Sequence, residues 1–438
     1  MNNNVFKWSL IVALGGFLFG FDTAVISGVE KQIQILFRLN PFWHGFTISS
    51  ALIGTVIGAL FAGKPADVYG RKPFLYIIAA LYVITAMGTA LAPNLSAFII
   101  FRFLGGIGIG ASSVVAPMYI AEISPAEVRG RMTAMFQFNV IFGILMAYVS
   151  NYLLKDFGQE PWRWMLGVSA VPSFIFLSLL FIIPESPRFL VKIGQVGKAR
   201  AVLAKINPVS SDKEIEEIKR SMTPGASKRE NLFSKKYFNP ISIAFLVAMF
   251  NQFSGINAIL YYAPRIFELS GLDRADSMLQ SIMVGATNGF FTIMGMILID
   301  KVGRKKLLIA GSIGMSICLG LVSKTFFSQD FSGYGILVYL LIYIMFFAFS
   351  TGAVIWVLIA EVFPNNVRGQ GQSLGSFTHW FFAALITFLF PVVEKSSEVG
   401  VSYAFLFFSI MMVLQAVVVW KYFPETKGKT LEELSGKL

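Results

Sequence analysis

Twelve runs of about 20 mostly apolar residues, separated by polar stretches, make up most of this chain, and a helix needs a run of about that length to cross the hydrocarbon core of a bilayer. They lie near 8–28, 46–64, 74–92, 97–120, 132–154, 164–183, 240–262, 281–299, 307–326, 334–359, 371–393 and 401–420. Composition points the same way. Of 438 residues, 55% are hydrophobic and 14% charged, whereas a soluble domain carries about 25% charged. The chain is expected to be an all-α integral membrane protein. The run after Met1-Asn-Asn-Asn-Val-Phe-Lys7 has spanning length and no small-residue cleavage site behind a short core, so we expect it to stay as the first helix.

Short charged motifs recur between the runs. Asp67-Val-Tyr-Gly-Arg71-Lys72 returns as Asp300-Lys-Val-Gly-Arg304-Lys305, offset by 233 residues. Glu122-Ile-Ser-Pro125 with Arg129-Gly130 returns as Glu361-Val-Phe-Pro364 with Arg368-Gly369, offset by 239, and Pro184-Glu185-Ser186 returns as Pro424-Glu425-Thr426, offset by 240. Three motifs repeated in one order argue for a duplicated membrane half, the plan of transporters whose two repeats rock about a central site. The expected division is an N-terminal six-helix half (1–187), a cytoplasmic linker with short helices (188–239), a C-terminal six-helix half (240–423) and a cytoplasmic tail (424–438). Within the linker, Ser211-Asp-Lys-Glu214 has capping-box spacing ahead of Ile215 and Ile218.

With the N-terminus placed inside, and Lys64 and Lys324 at span ends counted with the loops they adjoin, 27 of the 36 Lys and Arg fall on cytoplasmic segments, 8 outside and one within a span. The positive-inside rule then puts both termini in the cytoplasm. The net charge of +12 is explained by this basic inner surface facing anionic lipid, and no nucleic-acid partner is expected. One cysteine, Cys318, excludes a disulfide framework, and two histidines, His44 and His379, supply no metal cluster. No cofactor, metal or enzymatic nucleophile–base pair is expected.

The repeated charges admit a plain reading and a functional one. Plainly, Asp67 and Asp300 cap helices beside tight turns whose bases obey the inside rule. Functionally, Asp67, Arg71, Glu122, Arg129, Glu185 and Arg188 of the first half and Asp300, Arg304, Glu361, Arg368 and Glu425 of the second form matched sets at a moving seam, gating the inner side.

Ionisable residues inside spans are few, and each is a functional-site hypothesis by default. Asp22, in the first span, lies about 9 Å below the outer face of a 30 Å core, and Arg102, in the fourth, about 8 Å below it. These matching depths suit either a buried structural bridge between two helices or a site that exchanges a proton when the contact changes. After Arg102, the glycines at 105, 106, 108 and 110 are expected to let neighbouring helices approach closely.

Several motifs together resemble the sugar porters of the major facilitator superfamily: Asp-x-x-Gly-Arg-Lys at 67–72, Pro-Met-Tyr-Ile-Ala-Glu with Arg129-Gly130-Arg131, Pro-Glu-Ser-Pro-Arg-Phe-Leu at 184–190, Gln252-Phe-Ser-Gly-Ile-Asn257-Ala-Ile-Leu-Tyr261-Tyr262-Ala-Pro, and Pro-Glu-Thr-Lys-Gly at 424–428. Phe-Gly-Phe-Asp22-Thr-Ala further resembles the bacterial proton-coupled xylose, arabinose and galactose symporters. The resemblance implies a fold of twelve transmembrane helices in two pseudo-symmetric halves. It places proton coupling on Asp22 and Arg102, and sugar contacts on Gln252, Asn257, Asn251, Asn288, Trp356 and Trp380. Phe19, Tyr262 and His379 are further candidates. The residue chemistry agrees, since amides donate and accept at once and indoles cover apolar sugar faces. Ser254-Gly255 is expected to break the seventh helix, bringing Gln252 and Asn257 to one side.

Some positions depart from the pattern. Ile144 stands where xylose and glucose transporters have a sugar-binding glutamine, and Ser169 where the xylose symporter has an acid. Gly352-Ala353 lacks the proline usual after that glycine, and His379 stands where Gln or Asn is common. His379 then bonds sugar, titrates, or bonds a neighbouring helix. The expected function is symport of a monosaccharide with a proton by alternating access, in a monomer of the bacterial inner membrane. An uncoupled facilitator is the nearest alternative, and a sugar sensor a more distant one.

Overall fold

The computed structural model describes residues 3–125, 127–207, 211–222, 231–331, 333–364 and 366–427, without the side chains of 221, 222 and 300. Its α-helices are α1 (Asn3–Val25), α2 (Glu30–Leu36), α3 (Pro41–Phe61), α4 (Gly63–Tyr69), α5 (Arg71–Ala90), α6 (Leu95–Ile123), α7 (Arg129–Leu154), α8 (Pro161–Gly167), α9 (Ala170–Leu179), α10 (Pro187–Lys192), α11 (Val196–Ile206) and α12 (Ser211–Met222). They continue as α13 (Phe238–Phe253), α14 (Ile256–Leu269), α15 (Arg274–Val302), α16 (Arg304–Ser328), α17 (Gly335–Phe349), α18 (Thr351–Val362), α19 (Arg368–Glu394) and α20 (Gly400–Tyr422). Twelve stretches are long and apolar enough to cross a membrane, one for each run expected. Several begin earlier than the apolar run, on Arg71, Arg129, Arg274, Arg304 or Arg368. A helix's first turn needs backbone hydrogen bonds, not apolar side chains, so it extends into polar sequence until a cap or turn stops it. Asn94 and Asp273 are such caps, accepting from the amides of Ala97 and Asp276. Within 188–239, of which 208–210 and 223–230 lie outside the described residues, the chain forms α11 and α12, with α10 beginning just before at Pro187.

The chain forms two compact units: 1–22, 53–147 and 163–228 in the first, 23–52, 148–162 and 229–438 in the second. In the first unit α1 crosses α7 at a seam of glycines. A Cβ on Gly20 would lie 1.8 Å from the Val140 carbonyl oxygen, and one on Gly143 would lie 2.1 Å from that of Phe17. With no aqueous driving force between spans, such close backbone approach supplies the packing contacts. Of the glycines after Arg102, Gly110 is the one pressed against backbone, 2.2 Å from the Thr55 oxygen, while Gly105 and Gly108 meet only side chains of α5. Gly20→Val forces α1 and α7 apart, and overpacking of this kind costs about 1–3 kcal/mol; we expect a melting temperature several degrees lower in detergent, read by thermal unfolding of the purified protein.

In the second unit Val247, Leu308, Ile355, Ile359, Phe363 and Val419 form a buried apolar cluster joining α13, α16, α18 and α20. Serines bind α16 to α20: the Ser409 hydroxyl donates to the Ser316 carbonyl at 2.8 Å, and that of Ser323 to the Ser402 carbonyl at 2.9 Å. The other face of α20 exposes Ile410, Val413, Leu414, Val417 and Trp420 at helical spacing, a surface suited to hydrocarbon.

Candidate functional site

The seventh span breaks where expected. Gly255 adopts φ +85°, a left-handed conformation that glycine reaches without strain, between α13 and α14. Carbonyls freed at the break find other donors: the Ser254 hydroxyl bonds the Asn251 oxygen at 2.6 Å, and Tyr343 bonds the Ser254 oxygen at 2.9 Å. The break lets Asn257 turn back so that its Nδ2 donates to Gln252 Oε1 at 2.5 Å. Gln252 Nε2 donates in turn to Asn251 Oδ1 at 2.9 Å and lies 3.2 Å from the ring nitrogens of His379 on α19. A nitrogen facing an amide donor must accept, so whichever of the two ring nitrogens takes the Gln252 hydrogen carries no proton itself. Of the three roles open to His379, the structure displays the bond to a neighbouring helix.

Two indoles flank this amide cluster. Trp356 lies 4.9 Å from the His379 ring, and Trp380 meets it edge-on at 4.7 Å. Trp356 is 37% exposed although the cluster beside it is buried, so its face is accessible to a ligand placed there. The tenth span bends without the missing proline: Ser350, at φ −112° and ψ −98°, separates α17 from α18. Asn288 is buried on α15, but among the described residues no hydrogen bond joins it to the cluster. Tyr262 lies elsewhere, donating to the Thr387 carbonyl at 2.9 Å and stacking on Phe390.

In the first unit Arg102 Nη1 donates to Asp22 Oδ1 at 2.6 Å. Arg102 is 3% exposed and Asp22 26%, so the base is enclosed while the acid keeps a path to solvent. Beside them a cavity of about 20 Å³ is lined by the hydroxyl of Ser169 and by four that the sequence did not point to, those of Tyr82, Thr85, Thr89 and Ser173. Ser169, in the place of an acid, donates to the Leu166 carbonyl. Phe19 on α1 is partly buried and Ile144 on α7 fully so.

Glu185 and Glu425 play matching parts in the two units. Gly70 and Gly303 share φ +101° ahead of α5 and α16. The carboxylates of Glu185 and Glu425 then cap those helices, accepting from the Arg71 and Lys72 amides at 3.1 Å and from the Arg304 and Lys305 amides at 2.9 and 3.2 Å, where the helix dipole favours an anion. Burial pushes the Glu185 carboxyl up, against the pull of the Ser186, Lys72 and Arg71 amides. Arg71 pairs with Asp67 and Glu122, both at 2.9 Å, and Arg304 grips Glu361 with two bonds. Arg129 and Arg368 donate to the carbonyls of Ala121 and Phe363. Arg188 is exposed and joins neither set, and Asp300 lies outside the residues whose side chains are described. Among the described residues there is no cluster of His, Cys, Asp or Glu able to hold a metal.

Sequence reasoning missed one site in the second unit. Glu30 on α2, His44 on α3, Arg265 on α14 and Glu394 on α19 form a buried ionic cluster. Arg265 counts as an outer-loop base by position, and only tertiary packing shows it to be enclosed.

Residues 8–438 match the family described as "Sugar (and other) transporter". The chain is 36% identical to the D-xylose-proton symporter of Escherichia coli K12, covering 98% of this chain and 95% of that one. It is also 36% identical to the arabinose-proton symporter of Bacillus subtilis 168, covering 97% and 93%. The inward-open xylose transporter XylE from E. coli superposes with a TM-score of 0.88 over 99% of both chains, at 36% identity, and XylE bound to 6-bromo-6-deoxy-D-glucose with 0.82 over the whole of both. On sequence and structure together, the chain belongs to the sugar transporter family, with the major facilitator fold of twelve membrane-spanning helices.

Proposed function

We propose that the chain takes up a monosaccharide together with a proton, by alternating access, across the bacterial cytoplasmic membrane with both termini inside. The observation that carries the coupling is the Asp22–Arg102 contact, an acid with solvent access held by an enclosed base within the spans. Protonating Asp22 cancels its charge and weakens its hold on Arg102, so proton binding and helix packing are linked. Sugar sits at the Gln252–Asn257–Asn251–His379 cluster, with Asn288 near the same depth and Trp356 and Trp380 against its apolar faces. Phe19 and Tyr262 contribute shape. In this reading residues 1–187 and 240–423 are the two moving halves and 188–239 the linker. A monomer in lipid suffices, as does a carrier without enzymatic chemistry. The repeated charge sets stiffen the inner ends of the helices, and gating follows from their regrouping as the inner side opens and closes.

Energy-depleted cells expressing the protein test this reading when hexoses and pentoses are added singly. One sugar should alkalinise the medium as it enters. Entry of labelled sugar without alkalinisation would instead make the protein a facilitator and leave Asp22–Arg102 as a structural bridge.

A further inference from the structure

The cluster missed by sequence reasoning sets a buried imidazole against a carboxylate. Glu30 Oε2 lies 2.8 Å from His44 Nε2 and 3.1 Å from Arg265 Nη1. The other edge of Arg265 holds Glu394, with Nε 2.8 Å from Oε2 and Nη2 2.9 Å from Oε1, and its Nη1 also donates to Gln34 at 2.8 Å. All four ionisable groups are more than nine-tenths buried. Glu394 takes two contacts from Arg265 and has the Lys395 ammonium 3.8 Å away, whereas Glu30 has only the shared guanidinium and the imidazole, so Glu30 is the less compensated carboxylate in a place where unpaired charge is costly. A proton on His44 gives it a counter-charge of its own.

We propose that His44, paired with Glu30, is a second proton-binding site of this protein, separate from Asp22 and reached from the side of the membrane opposite the N-terminus. The proton adds to the free ring nitrogen of a neutral imidazole, and the resulting cation donates to Glu30 through Nε2. The approach is through Glu30: a cavity of about 390 Å³ is lined by Glu30 and Arg265 together with Lys31, Glu268, Asp273 and Arg274, the Lys31 side chain is 56% exposed, and His44 itself lies behind Glu30, fully buried. The other groups near His44 do not compete for the proton. Tyr262 of α14 meets its ring edge-on at 6.1 Å and donates to a carbonyl, Lys395 lies 3.8 Å from Glu394 on α19, and Lys31 pairs with Glu268. Burial pushes the Glu30 carboxyl up, but the His44 hydrogen bond and the Arg265 guanidinium outweigh it and hold it below the usual carboxylate value, so Glu30 stays an anion.

The proton acts on α14. Arg265 follows Pro264 and the non-helical Tyr262, which has φ −123° and ψ 20°, and the end of α14 beyond this kink is tied to α2 through Arg265–Glu30 and Lys31–Glu268 and to α19 through Arg265–Glu394. Protonation of His44 fixes Glu30 between two cations and tightens the tie to α2.

Only the sidedness rests on the proposed orientation; the site itself does not depend on transport. The test is NMR of ring-labelled histidine in the full-length protein in detergent micelles. The chain has two histidines, so His44→Gln or His379→Gln assigns both signals. In spectra recorded from about pH 5 to 8 the His44 signal should move with pH, unchanged in Asp22→Asn and with about a tenfold loss of proton affinity in Glu30→Gln, where a neighbouring carboxylate is removed. A His44 signal that does not move over this range overturns the proposal even if the Glu30 variant fails to fold, and so does a titration indifferent to Glu30→Gln. The readout needs no sugar, so its failure is distinct from failure of the symport reading.

Discussion

Asp22→Asn should abolish accumulation of sugar against its gradient while leaving exchange of internal for external sugar. The amide has nearly the shape of the acid and cannot change charge, so it imitates the protonated state permanently. A carrier locked in that state still reorients with sugar bound, but returns no proton and draws nothing from the proton gradient. Each pH unit of gradient is worth about 1.4 kcal/mol, a tenfold concentration ratio, so the accumulation ratio should fall from tenfold or more to about one. Arg102 adds a second consequence. It is 3% exposed and its ionic partner is Asp22, and removing one member of a buried pair costs about 3–5 kcal/mol when the other is left uncompensated. Asn keeps an oxygen to accept from Arg102, so Asp22→Asn should fold where Asp22→Leu does not. Labelled-sugar uptake and counterflow in proteoliposomes measure both quantities. An Asp22→Asn variant that still concentrates sugar as the native protein does would remove Asp22 from the coupling.

Gln252→Ala should weaken sugar binding by about 10- to 100-fold. Gln252 joins Asn257, Asn251 and His379 through both ends of its amide, so truncation removes its own contacts to a ligand and leaves neighbouring polar groups misaligned. A hydrogen bond is worth about 0.5–1.5 kcal/mol net, and a buried group left unsatisfied costs about 1–3 kcal/mol. Gln252→Asn keeps the chemistry with a shorter reach and should lose less. Titration calorimetry with the transported sugar measures the affinity, and the melting temperature without sugar separates a binding defect from a folding one. Unchanged affinity in Gln252→Ala would move the sugar site away from the helix break.

The two substitutions differ in how visible their targets are in the sequence. Asp22 and Arg102 stand out because each is a rare charge in an apolar run, and helical rise alone brings them to one depth. Their contact at 2.6 Å needed only that α1 and α6 be neighbours. The break at Gly255 was legible too, since a glycine after serine in the middle of a span has few other uses. His379 was harder. Its residue type admits donor, acceptor or cation, and its choice of Gln252 depends on where α19 passes α13. The bend at Ser350 shows a limit of a different kind: the missing proline raised doubt about a kink that the backbone makes without it.

Hydropathy and spacing alone were enough for twelve membrane helices, because in hydrocarbon a backbone must satisfy itself and a helix of about 20 residues is the simple way to do so. The repeated motifs likewise announced a duplication, and the structure returns it as two glycine turns with the same φ and two glutamates capping equivalent helices. Tertiary structure alone decided the Glu30–His44–Arg265–Glu394 cluster. Its members lie on four elements far apart in sequence, and each reads by itself as an ordinary loop or helix-end charge. Hydropathy is a property of a segment, whereas burial and charge balance belong to whatever groups packing brings together, and these only the folded chain can settle.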